Sequence, residues 1–98
     1  MRIKRGDSFL LALVARVDGV RQDLTNWEVR AAIGTCYGVV DEITVAFTNR
    51  AQGEFELSAD TTEWPIGVLE FDIRYTTDVG QIVTTNSVKV DVVKSDTP

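Results

Sequence analysis

Chemistry in this 98-residue chain would have to come from carboxylates, one thiol and a few aromatic rings, because histidine is absent and Cys36 is the single cysteine. Whatever the fold, that composition excludes a histidine-based catalytic dyad, a cysteine–histidine zinc site and an internal disulfide. Two pairs of acids, Glu54 with Glu56 and Glu70 with Asp72, stand two residues apart and so share a strand face, an arrangement that a glycosidase acid and base could use. Each pair is equally the polar half of an alternating strand, and no neighbouring residue marks an apolar pocket that would raise one pKa. Cys36 lies in the turn from Gly34 to Gly38 without the histidine or helix N-terminus that activates a thiol, so it reads as an inert free thiol. Neither a calcium loop nor a glycine-rich phosphate loop is spelled anywhere. The chain is therefore expected to be no enzyme, with no catalytic residue, cofactor or metal.

Three further features have a recognition reading beside a structural one. Arg5-Gly6-Asp7 is the tripeptide that integrins bind, but its glycine and aspartate stand where the entry to a strand needs a turn. Trp27 has the parity of an apolar strand face and belongs with the core. Trp64, just before Pro65, is expected in an exposed loop, where it and Tyr37 offer rings on which a partner could stack.

The elements that must position these residues are strands. Apolar residues alternate in Phe9, Leu11, Leu13, Ala15 and Val17, in Trp27, Val29, Ala31 and Ile33, and in Ile43, Val45 and Phe47. The same period of two returns in Phe55 and Leu57, in Leu69, Phe71, Ile73 and Tyr75, and in Val88, Val90 and Val92. Turn residues punctuate the runs at Asp18-Gly19, Gly34 to Gly38, Asn49 to Gly53, Pro65 to Gly67, and Asp78-Val79-Gly80. Asp60 to Glu63 has the spacing of a capping box and predicts a short helical turn before Pro65. About seven short strands, each with one apolar face, predict a single all-β domain over residues 1–98, with 95–98 as a flexible tail. The expected architecture is an immunoglobulin-like antiparallel β-sandwich, with a small β-barrel as the alternative. The last strands, Leu69 to Thr77 and Gln81 to Val93, should form a hairpin closed by Gly80 at positive φ.

One strand departs from simple alternation. Leu10, Ala12 and Val14 make the first long strand apolar on its second face too, which calls either for a cover from the same chain or for a subunit interface. With Trp64 they are the expected protein-contact residues. The net charge of −5 argues against nucleic acid and anionic membranes as partners. Bases gather in the first third of the chain, and residues 51–73 carry acids alone, so the pattern reads either as solvated faces or as head-to-tail attraction between copies. No apolar run is long enough for a membrane span, and no signal peptide is expected, which places folding in a cytoplasm.

As a set, several segments resemble a known family. Gly6-Asp7-Ser8-Phe9, Asp18-Gly19, Asp23-Leu24-Thr25 and Trp27-Glu28-Val29-Arg30 look like the front half of the small Ig-like structural proteins of tailed bacteriophages, among them the N-terminal domain of the baseplate upper protein. Gly53 to Leu57, Thr62 to Gly67, Phe71 to Tyr75, Gly80 to Thr85 and Val88 to Val90 match the back half, while residues 34–42 are unmatched. Thr25-Asn26 replaces the usual Thr-Gly, a change asparagine tolerates because it too can adopt a left-handed turn. The resemblance implies a phage or prophage virion or assembly protein of the baseplate, tail, neck or head-associated parts. Such a protein is made in the bacterial host cytoplasm and contacts other virion subunits or itself as an oligomer. A carbohydrate-binding module for host-surface recognition, using Trp64 and Tyr37, is the alternative.

Overall fold

The computed structural model describes residues 1–85 and 87–95, so the tail expected over 95–98 lies, beyond Ser95, outside the described residues. In chain order the strands are β1 (Arg2–Lys4), β2 (Ser8–Val14), β3 (Arg16–Val17), β4 (Val20–Arg21), β5 (Glu28–Thr35), β6 (Gly38–Asn49), β7 (Glu54–Asp60), β8 (Gly67–Thr76), β9 (Ile82–Thr84) and β10 (Val88–Val93). The fold is all-β, and its main path runs β1-β10-β8-β5-β6-β7-β2 with β9 beside β8. Every pairing is antiparallel except that of β1 with β10.

The strand β6 belongs to two sheets. Its first half, to Ile43, pairs with β5, and its second half, from Thr44, pairs with β7. The N-terminal segment makes the second connection, because β1 lies on β10 and, after Arg5-Gly6-Asp7, β2 lies on β7. Two sheets linked on both sides form a sandwich that approaches a closed barrel, so the expected architecture and its alternative meet in one molecule.

Alternation decides the interior. Phe9, Val29, Ile33, Phe55, Leu57, Leu69, Phe71, Ile73 and Val90 are buried as their parity requires, while Leu11, Leu13, Trp27, Val45 and Phe47 pack against them half-buried. Val88 has the inward parity but stands at the open end of its strand and is exposed. Leu24, in a loop without periodicity, is fully buried because Arg50 pins that loop: its Nε donates to the Leu24 carbonyl at 2.8 Å and its Nη2 to the Trp27 carbonyl. The Arg50 guanidinium also lies 4.0 Å from the centre of the Phe47 ring, a cation–π contact.

The turns carry the expected residues. Asp18 and Gly19 both have positive φ, 52° and 81°, as a two-residue turn joining β3 to β4 requires. Gly80 has φ 83° and closes the last hairpin, in which β8 pairs first with β9 and then with β10. The helical turn expected from Asp60 is absent. There Asp60 Oδ1 accepts from the Thr62 N–H at 2.9 Å and from its hydroxyl at 2.6 Å, closing a turn in which the Trp64 N–H donates to the Thr61 carbonyl. The one helical turn among the described residues is a 3-10 turn over Arg50–Gln52.

The crossing from β1 to β2 is held by Thr61, the one polar side chain among the described buried residues. Its hydroxyl accepts from the Gly6 N–H at 2.8 Å and donates to the Asp7 carbonyl at 2.6 Å. Gly6 has φ 98° there, which explains the glycine of the Arg5-Gly6-Asp7 tripeptide as a corner between sheets.

Two measurements check these assignments. Thr61→Val, which keeps the shape and removes the hydroxyl, is expected to cost about 1–3 kcal/mol by urea titration; an unchanged midpoint would show that the corner does not need it. Gly53 has φ 73°, and a Cβ on it would stand 2.5 Å from the Gln22 carbonyl oxygen, whereas one on Gly80 would meet nothing within 4 Å. Gly53→Ala should therefore lower thermal stability clearly more than Gly80→Ala, and equal losses would contradict the close packing of the 15–22 hairpin on Gly53.

Candidate interaction surface

Strand β2 is the end of the path, paired over its whole length with β7 and, among the described residues, with no other strand. Its inner face holds Phe9, Leu11 and Leu13. Its outer face holds Ser8, Leu10, Ala12 and Val14, of which Leu10 is 66% exposed, Ala12 exposed and Val14 half-buried. The N-terminal segment Arg2-Ile3-Lys4 does not cover this strand but lies on β10, with Ile3 packed against the core.

Cross-strand neighbours define the outer face. Leu10 stands opposite Ser58, which stands opposite Thr44; Ala12 stands opposite Glu56, which stands opposite Ala46. Leu10 thus rises from a floor of small side chains, beside a shallow depression of about 610 Å3 that also touches Gly6, Ser8, Ser58, Asp60 and Thr62. Three acids of β7, Glu54, Glu56 and Asp60, share this outer face, and two are already engaged. Glu54 Oε1 accepts from Arg21 at 3.1 Å, and the two bonds from Thr62 hold the Asp60 carboxyl below the usual carboxylate range. Any contribution of Asp60 to stability is complete above its ordinary value of 3.8 and fades as pH falls through the depressed one.

Trp64 does not belong to this surface. It is 1% exposed, with its ring 5.6 Å from that of Phe9 and its Nε1–H donating to Asp41 Oδ2 at 2.9 Å. The expectation of an exposed loop tryptophan is therefore corrected. A large ring in a connection between sheets is better used to plug the end of the core, provided its N–H finds an acceptor. Asp41 supplies that acceptor from an inward position on β6, opposite Ile33. Neither Trp64 nor Asp41 was identifiable as a pair from spacing, since they lie far apart in the chain and in different elements.

The other singled-out residues are dispersed. Tyr37 is 96% exposed and Cys36 exposed on the β5–β6 turn. Glu70 and Asp72 stand on the outer face of the other sheet around Ala32, with Arg30 and Arg74 opposite each other nearby. They share no cavity with Glu54 and Glu56. Among the described residues, no three histidine, cysteine, aspartate or glutamate side chains are grouped to hold a metal, and no helix is long and apolar enough to cross a membrane. Compared with known proteins, the chain matches no family model and no curated sequence.

Trp64→Phe removes the indole N–H but keeps much of the ring. It is expected to destabilise by about 1–3 kcal/mol in urea titration, and the unfolding transition of wild type should show a large tryptophan fluorescence change as Trp64 becomes wet. A stable Trp64→Phe variant with unchanged fluorescence would return Trp64 to the surface.

Proposed function

We propose that this chain is a structural or assembly protein of a tailed bacteriophage or prophage, acting through contacts with other protein subunits and not through catalysis. Support comes from the set of segments resembling the phage Ig-like proteins, which occupy the corners and hairpins that such a fold needs. Gly6-Asp7 forms the sheet crossing, Asp18-Gly19 a tight turn, and Gly80 the final hairpin. The observation that carries the reading is the uncharged β2, which has β7 on one edge and no strand on the other among the described residues, and which carries the exposed Leu10. An edge of this kind offers backbone donors and acceptors to an added strand and apolar surface worth about 25 cal/mol for each Å2 covered.

In this reading the protein is made in the host cytoplasm and becomes part of the baseplate, tail, neck or head-associated structures. Carbohydrate recognition is the weaker account, because the indole of Trp64 is enclosed and Tyr37 alone remains as an exposed ring of the two.

Particles released by the phage or induced prophage that encodes the chain provide the test. After gradient purification, mass spectrometry is expected to find the protein in particles or in their assembly intermediates at a ratio comparable to other structural subunits. Its absence from both would overturn the proposal.

A further inference from the structure

We propose that β2 pairs with β2 of a second copy, antiparallel and centred on Leu11, to make a twofold-symmetric dimer. This deepens the reading of the chain as a subunit-contact protein and rests on it. Each copy contributes β6, β7 and β2, so the pairing fuses two three-stranded sheets into one.

The edges of the molecule differ in how they are protected. Strands β1 and β9 have three residues each, and β1 carries Arg2 and Lys4. The second half of β6 is also an edge, but a wedge lined by Glu28, Arg30 and Glu42 lies beside its start and Arg50 holds Trp27 across its end. By contrast β2 offers seven residues without a charge, a proline or a break in register. Natural edge strands carry such devices against pairing, and β2 has none.

The core is also unfinished at this edge. Phe55 and Leu57 on β7 are fully enclosed, whereas their cross-strand neighbours Leu13 and Leu11 on β2 are only half-buried. A strand added beside β2 would cover Leu11 and Leu13 on one face and Leu10 on the other.

Charge and shape select the occupant. With Glu54 held by Arg21 and Asp60 by Thr62, Glu56 is the acid on this face left without an ion pair or hydrogen bond among the described residues, so little attracts a basic strand. A second β2 is neutral, and pairing about Leu11 places Leu10 opposite the partner's Ala12, large against small, on both sides of the twofold axis. The two Glu56 side chains then stand three strand spacings apart and two residues out of line, about 16 Å, beyond the ~8 Å screening length of physiological salt. A contact of one short strand is small beside the ~2,000–5,000 Å2 of a permanent interface, so the dimer should be reversible and concentration-dependent.

Sedimentation over a wide concentration range tests the pairing, with the wild type expected to pass from monomer to dimer. A variant with Leu10→Lys and Ala12→Lys, shown to be folded by urea titration, should remain monomeric. For the register, Leu10→Cys and Ala12→Cys are made separately in a Cys36→Ser background; mixed together and oxidised, they should form the mixed disulfide in preference to either self-disulfide. A wild type that stays monomeric, a dimer indifferent to the lysines, or dominant self-disulfides would each overturn the proposal. A monomer still found in particles would reject self-pairing and leave the virion reading standing, whereas a dimer absent from particles would do the reverse.

Discussion

The structure depends on one covalent constraint: the chain must leave one sheet after β1 and enter the other at β2 within three residues. A sharp corner interrupts the strand ladder and leaves backbone groups in need of other partners. Thr61 supplies them from just past the end of β7, the strand beside β2, bonding Gly6 and Asp7 with a single hydroxyl while the nearby Trp64 packs on Phe9. Because this corner directs β1 onto β10, Arg2–Lys4 does not lie along β2, and the open edge follows from the same geometry that brings the sandwich close to a barrel elsewhere. The proposed partner contact is thus a consequence of how the N-terminal segment is routed.

Much of this was legible in the sequence, for a physical reason. Period-two alternation states directly which side of a strand is wet, and Phe9, Phe55, Leu57 and Phe71 are buried where it puts them. Turn chemistry was equally readable, since Asp18-Gly19 and Gly80 adopt the positive φ their turns need. What alternation does not encode is pairing between distant segments or the role of a residue outside a strand. Leu24 and Trp64 sit in loops, and their burial depends on Arg50 and Asp41, contributed by other elements. The capping-box spacing at Asp60 misled because aspartate caps a turn as readily as a helix, and Trp64 followed by Pro65 left no room for helical continuation.

The candidate surface was half legible. The second apolar face of β2 marked Leu10, Ala12 and Val14 as residues needing a cover, and Leu10 is well exposed in the folded chain. Trp64 was assigned to the same role on its position before a proline, but its hydrogen bond to Asp41 shows it spent inside. The distinction is general: an exposed strand face reports an unmet packing need, whereas a loop aromatic reports nothing until its N–H partner is known.

The central claim is that the outer edge of β2 is open in the single chain and closed by a second copy. Amide hydrogen exchange followed residue by residue by NMR tests it most directly. In dilute protein, alternate amides of Ser8–Val14, those directed at β7, should be protected and the rest should exchange freely; at high concentration the free set should slow. Uniform protection along β2 in the dilute monomer would contradict the account, because it would mean that the chain already covers this edge itself.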